Sequence, residues 1–333
     1  MRRNRTENTQ ISALKSNTTG DLVTNSTEKA NILNSQFQSV FTKETPLTDD
    51  HKKSQQCPDI PDILFTPPGV QKLLEGLNPN KACGPDGILP RVLKELAPAI
   101  APILTDLFNR SYQTGVVPQD WRDANVAAIY KKGKKTLAAN YRPISLTCIC
   151  CKLFEHVMTR HIMKHTETHN ILYALQHGFR GMLSCETQLV EFIHDLLVMD
   201  FSKAFDKVGH ERLLEKISNY GITGKTQKWI RHFLSGRRQR VVLDGEHSDQ
   251  VAVTSGVPQG SVLGPCLFLL YINDLADELE SVVRLFADDT IAYLTINSQA
   301  DAGRLQRDLD RLARWEVLWQ MEFHPINAKC LEW

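Results

Sequence analysis

Nowhere in this 333-residue chain does an apolar run approach the length of about 20 residues that spans a bilayer. Its polar start, MRRNRTENTQ, also lacks the apolar core of a secretory leader. These two absences predict an intracellular protein with no membrane partner, and no address signal chooses between nucleus and cytoplasm. The 8 cysteines form neither paired CxxC motifs nor a Cys/His set at zinc spacing. A chain of 37.7 kDa needs no disulfide framework, so reduced, mostly buried thiols are expected. His156, His161, His165 and His169 have no acidic or cysteine partner to complete a metal site, which predicts a helix facing solvent. Charge of one sign is lacking as well: the net charge is +1 and the isoelectric point about 7.6, so composition alone does not announce a nucleic-acid binder. Internal repeats and low-complexity tracts are absent.

What is present is an ordinary globular composition, 42% hydrophobic and 23% charged, long enough to bury a large core. Charge is informative in its distribution. Tyr130 to Arg142 holds Lys131, Lys132, Lys134, Lys135 and Arg142 without an acid, and Lys225 to Arg240 holds six more basic residues without one. Two such stripes facing an acidic centre suit a polyanion with a metal ion; either alone reads as a solvated face. Residues 1–60 are a polar N-terminal segment and linker with one helical patch near Ala30 to Phe41, expected to attach loosely. After Thr66 comes a helix, then the punctuated loop KACGPDGILP and apolar residues at helical spacing. Pro98 and Pro102 predict a kink or break there. NVAAIYKK reads as a strand, Lys152 to His165 and Glu186 to Asp195 as helices, and RRQRVVLDGEHSDQVAVTSG as a hairpin with an Asp-Gly turn. SGVPQGSVLGP opens the apolar helix CLFLLYINDL, and Leu305, Leu309, Leu312 and Trp319 mark a last amphipathic helix.

The stretch that organises the chain is Val282 to Leu294, VVRLFADDTIAYL, two β-rich runs flanking Asp288 and Asp289. Tight hairpin turns favour Asn-Gly or Asp-Gly, so Asp-Asp is a poor turn former. Two carboxylates about 4 Å apart repel by roughly 4 kcal/mol at an effective dielectric of 20, which a divalent cation would relieve. An isolated Asp-Asp pair is more often a plain acidic turn. Here, however, Asp200 ends a separate apolar run, and SGVPQGS lies between the two stations. Carboxylates distant in sequence but held on rigid strands are what two-metal phosphoryl transfer requires, and magnesium prefers such oxygen ligands.

KACGPDGI, YKKG, NYRPISL, QHGFR, DFSKAFDKVGH, SGVPQGSVLGP, YINDL, LFADDT and WQMEFHPINAKC occur in one order over roughly residues 70 to 330. Together they resemble the reverse transcriptase domain of LINE-type, non-LTR retrotransposons of the jockey-like group. The resemblance implies an α+β right-hand polymerase. Fingers occupy 61–185 and a palm 186–333, with an antiparallel palm sheet backed by helices and the thumb missing. It implies RNA-directed DNA synthesis on a primer 3′ end with two Mg2+ ions, Mn2+ serving in their place. The partners implied are an RNA template, a DNA primer and deoxynucleoside triphosphates.

Carried onto matching positions, Asp200, Asp288 and Asp289 are the catalytic carboxylates, and Phe201 adds a backbone oxygen to the metal ligands. Lys131 and Arg142 match residues that grip the incoming phosphates, and Phe205 the aromatic that excludes a 2′-hydroxyl, against a plain core-packing alternative. Gln259 and Gly260 match the loop lining nucleotide and template. Lys329 matches a late lysine that protonates pyrophosphate. Two departures stand out: the run from Glu186 to Asp200 is shorter than the family's, and FHPINAKC is longer. They keep open a second expectation, an inactive, truncated remnant that at most binds nucleic acid. A third, a metal-dependent phosphohydrolase, would have no use for Phe205 or SGVPQGS.

Overall fold

The computed structural model describes residues 11–16, 19–47, 57–180, 197–294, 298–323 and 329–330. A short ribbon, β1 (Leu14–Lys15) with β2 (Leu22–Val23), precedes α1 (Ser26–Gln38), which Asn25 caps by accepting from the Glu28 N–H. Then come α2 (Pro67–Glu75), α3 (Pro90–Glu95) and α4 (Ala97–Thr114). The predicted break falls at Leu96, just before Pro98. That proline sits in the first turn of α4, where its missing N–H is harmless, and the helix runs on through Pro102 to the left-handed Gly115. Next are α5 (Gln119–Arg122), β3 (Asp123–Tyr130), β4 (Tyr141–Leu146) and α6 (Ile149–Thr168). After β5 (Leu197–Asp200) follow α7 (Ala204–Lys207), α8 (His210–Asn219) and α9 (Gly224–Leu234). The remainder is β6 (Arg237–Leu243), β7 (Glu246–His247), β8 (Val251–Val253), α10 (Leu263–Ile272), β9 (Val282–Phe286), β10 (Asp289–Tyr293), α11 (Gln299–Trp319) and β11 (Lys329–Cys330). The helix expected at Glu186 to Asp195 lies outside the described residues.

The architecture is α+β. A mixed five-stranded sheet runs β4-β3-β6-β7 with β8 also on β6; β3 and β6 are parallel and the other pairs antiparallel. A four-stranded sheet, β11-β5-β10-β9, is antiparallel throughout. The Asp-Gly signal is borne out at β6–β7, where Asp244 (φ 52°) and Gly245 (φ 83°) both take positive φ. The main core gathers α4, α6, α8, α9 and α10 around Phe108, Phe154 and Trp229, the last two stacked 4.4 Å apart. Each such buried large apolar side chain contributes about 1.5–3 kcal/mol.

Three expectations are corrected. The described part of the N-terminal segment is docked rather than loose: Ala30, Leu33 and Phe37, one stripe of α1, bury against Val126, Val241 and Leu243 of the five-stranded sheet. Glu44 then accepts from the Glu211 and Arg212 N–H groups at the start of α8. The solvent-facing expectation for α6 holds at His156 and His169, which are exposed, but fails at His165, which is buried on the Tyr220 carbonyl because the opposite face of the helix packs into the core. Finally, much of the Lys225–Arg240 stripe is paired with acids at the surface instead of standing as a free basic face. Lys225 pairs with Asp62, Arg231 with Glu211 and Arg238 with Asp123, while Arg237 is buried and donates to the Phe233 carbonyl. Acids distant in sequence neutralise it.

Candidate functional site

Strand pairing brings the two distant stations into register. Antiparallel register sets Asp200, the last residue of β5, directly across from Asp289, the first of β10. Directly opposed residues of an antiparallel pair have Cα atoms about 4.5–5.5 Å apart. On its other side Asp289 pairs with Phe286, so Ala287 and Asp288 alone form the β9–β10 turn. Ala287 supplies the left-handed residue the turn needs, at φ 54°. For a residue with a Cβ that conformation costs on the order of 1–3 kcal/mol and persists only where neighbours enforce it.

QHGFR enforces it. The Leu285 N–H donates to the Leu175 carbonyl at 3.0 Å, and the His177 N–H to the Leu285 carbonyl at 2.8 Å. Buried Gln176 accepts at Oε1 from the Ala287 N–H (3.0 Å) and the Gly178 N–H (2.8 Å). Gly178 is pressed so closely that a Cβ there would lie 2.2 Å from the Ala287 nitrogen. The bridge Phe201–Phe323 and the pairing of Lys329 with Val198 bring the end of the chain alongside β5, so Lys329 sits on the strand next to that of Asp200. Among the described residues no group of three or more His, Cys, Asp or Glu side chains is gathered for a metal, and the Asp200 side chain lies outside that description.

A second cluster forms beyond β5. The Phe205 ring stacks on Phe268 of α10 (4.5 Å, 15°) and meets Phe179 edge-on (6.1 Å, 80°). SGVPQGS wraps α7: Val257 N–H donates to the Phe205 carbonyl (2.8 Å), Ser255 Oγ to the Asp206 carbonyl (2.7 Å), and Gln259 Nε2 to Asp206 Oδ1 (3.2 Å). Gly256 is required there, since at φ 86° a Cβ would meet the Phe205 carbonyl oxygen at 2.7 Å. The same loop is tied to β4, where the Ser145 N–H donates to the Gln259 carbonyl at 2.6 Å. Arg142 lies three residues back on β4, and Lys131 follows β3 with its N–H on the Asn140 carbonyl; both side chains are exposed. The structure therefore joins Phe205, Gln259 and Gly260 through one loop, with Arg142 within the field of Asp206 and Lys131 within that of Lys203.

Four residues that the sequence did not single out complete the setting. Burial pushes the Asp206 carboxyl up to about 6, partly offset by Lys203, the Gln259 hydrogen bond and Arg142, and its buried Oδ2 has no hydrogen-bond partner among the described residues. Lys203, itself left-handed at φ 54°, has its ammonium pKa lowered by burial and by the nearby cations Lys131 and Arg142, against the pull of Asp206. Glu155 is fully buried, and burial raises its pKa against the hydrogen bonds it accepts. Its Oε2 takes the Val262 and Leu263 N–H groups at 2.7 and 2.9 Å, fixing α10 where SGVPQGS enters it. Gln176 is the fourth. Glu155 had a legible signal, a lone acid among Cys151, Phe154 and Met158.

The geometry can be set beside known proteins. A family model described as "Reverse transcriptase (RNA-dependent DNA polymerase)" matches residues 129–330. An RNA-directed DNA polymerase from mobile element jockey of Drosophila funebris is 30% identical over 99% of this chain, which covers 39% of that protein. The jockey polymerase of Drosophila melanogaster is 30% identical over 78% of the chain, covering 31% of its length. A retrovirus-related Pol polyprotein from the R1 element of Bradysia coprophila is 26% identical over 66% of the chain, 23% of its own length. The chain thus spans less than half of each of these relatives.

Proposed function

The chain belongs to the reverse transcriptase family, related to the jockey-like non-LTR retrotransposon enzymes, and from that premise we propose that it is an RNA-directed DNA polymerase. It extends a DNA primer 3′ end along an RNA template with deoxynucleoside triphosphates. The observation that carries this reading is the register of Asp200 against Asp289, with Asp288 one residue away at the turn. Three carboxylates and the Phe201 carbonyl are an all-oxygen donor set, which fits a hard divalent cation such as Mg2+, or Mn2+ in its place. When bound, such ions stabilise the attacking and leaving oxygens of nucleotidyl transfer.

The chain's own residues do the rest. Lys131 and Arg142 bind the triphosphate, and Phe205, braced by Phe268 and Phe179, closes the space a 2′-hydroxyl would occupy. Gln259 and Gly260, anchored to Ser145 and Asp206, line the nucleotide. Lys329, whose strand pairs with that of Asp200, hands a proton to pyrophosphate. In this reading β3 and β4 belong to the fingers and the four-stranded sheet to the palm, while β6, β7 and β8 of the palm segment join the fingers strands in the five-stranded sheet.

Primer extension on an RNA template tests the proposal. Asp288→Asn should lower the rate by at least about 10²-fold, the scale of one lost electrostatic stabiliser, and equal rates for variant and parent would refute the assignment. The rival, an inactive remnant that binds nucleic acid, draws on the short run from Glu186 to Asp200. Salt-sensitive RNA binding with no extension product would select it.

A further inference from the structure

The acidic turn is held by a side chain that no role assigned above uses. Gln176 is 2% exposed. Its Oε1 bridges two backbone donors, the Ala287 N–H at the left-handed position and the Gly178 N–H of its own loop. Its Nε2 is buried with no hydrogen-bond partner among the described residues. A buried amide with an idle donor is a poor choice for filling volume, since a methionine of similar length would leave nothing unpaired. What the amide alone supplies is an acceptor placed where the strained alanine presents its N–H. On either side of that contact Leu175 and His177 are locked to Leu285, so the oxygen cannot drift along the strand.

We propose that Gln176 is a positioning residue for Asp288 and Asp289: by accepting from the Ala287 N–H it fixes the left-handed turn, and with it the place at which both carboxylates stand. The inference rests on reading that turn as the divalent-cation site. Without the acceptor, Ala287 relaxes toward an unstrained conformation, and Asp288, the next residue, moves with it. Binding of the nucleotide through Lys131, Arg142 and Gln259 is untouched, because those groups are fixed by β4 and by α7. The signature is therefore a loss in turnover and in divalent-cation affinity, with the nucleotide KM retained.

Gln176→Met, which keeps the length and removes the acceptor, should lower kcat for single-nucleotide extension by about 10- to 100-fold, the penalty of a displacement near 1 Å. The Mg2+ concentration for half-maximal rate should rise while the nucleotide KM stays within about threefold. Independently of activity, exchange of the Ala287 amide should be slow in the parent and at least about tenfold faster in the variant. Gln176→Glu, which keeps an acceptor oxygen, should restore slow exchange. A parent-like kcat for Gln176→Met, or an unchanged Ala287 exchange rate, overturns the proposal. If Gln176→Met does not fold, the parent and Gln176→Glu decide, because open-chain exchange at Ala287 in the parent overturns it and slow exchange that persists in Gln176→Glu supports it. A parent that makes no templated product would sink the polymerase reading, and the exchange measurement would still decide the role of Gln176.

Discussion

Adding one methyl at Gly178 tests how tightly the acidic turn is tied to function. An alanine Cβ there would lie 2.2 Å from the Ala287 nitrogen, 2.9 Å from the Phe286 carbonyl carbon and 3.0 Å from the Ala287 Cα. Non-bonded heavy atoms rest about 3.5–4.0 Å apart, so the QHGFR segment and the turn must separate by about 1 Å or more. All three neighbours are backbone, and no side chain can swing aside to absorb the methyl. Just before the contact Leu175 and His177 are pinned to β9, and Gln176 Oε1 holds the Gly178 N–H itself. The displacement therefore falls on Ala287 and Asp288. Overpacking of this kind costs about 1–3 kcal/mol, which a fold of this size survives. A shift near 1 Å in a reacting group costs about 10²-fold in rate. Gly178→Ala should thus reduce single-nucleotide extension on an RNA template by about 10²-fold, with a urea midpoint lowered but a cooperative transition retained. Gly303→Ala is the matched control, since its Cβ would find only the Arg307 guanidinium at 3.7 Å. A Gly178→Ala enzyme within about threefold of the parent would refute the argument that the turn's position governs the rate.

Phe205→Val should raise ribonucleotide incorporation relative to deoxynucleotide by at least about tenfold in competition assays, and unchanged discrimination would return Phe205 to plain core packing. Lys216→Met should destabilise the fold by about 3–5 kcal/mol in urea, because it takes from the part-buried Asp274 its ammonium partner and removes the cation packed on Trp315 and Trp319; removing Asp274 as well should recover part of the loss. Asp206 carries a pH signature. Its carboxyl is raised in the folded chain from 3.8 to about 6, so the folded state holds its proton longer than the unfolded chain does, and stability falls as pH rises between these values. At pH 7.5 Asp206→Asn should therefore be more stable than the parent, by up to about 3 kcal/mol at 1.36 kcal/mol per pH unit. The gap should shrink as pH is lowered from 7 to 5, and a gap that is constant over that range would contradict the assignment.

Local chemistry was readable from the residues. The Asp244–Gly245 turn needs two positive φ values, and few other pairs accept them, so the sequence announces it. Helix α10 is apolar nearly all round because it is buried all round, and CLFLLYI says so directly. Where the reading failed, the partner was remote. The stripe from Lys225 to Arg240 has no acid within it, yet Asp62, Asp123 and Glu211 meet it across the fold, and the fully buried Arg237 sits within the field of Glu155. Helix α1 has a polar composition, and only the spacing of Ala30, Leu33 and Phe37 marks its buried stripe. Average composition predicted looseness; periodicity, given more weight, predicts the docking.

The same division runs through the candidate site. Side-chain identities such as Asp200, Asp288 and Phe205 are legible because a carboxylate or an aromatic ring is itself the chemistry. The devices that hold them are illegible because they act through backbone groups that every residue carries. Gln176 reaches Ala287 across 111 positions and touches only its N–H, so no pairing of residue types betrays the contact. Asp206 is one residue from Phe205, but its meaning depends on Gln259 arriving from 53 positions away. Position, however, is what decides rate once the right groups are present, because an offset of about 1 Å outweighs most single contacts. It follows that substitutions at Gln176 and Gly178 should reduce turnover more than loss of an exposed cation such as Lys131, proposed above to bind the triphosphate, although neither residue carries a charge.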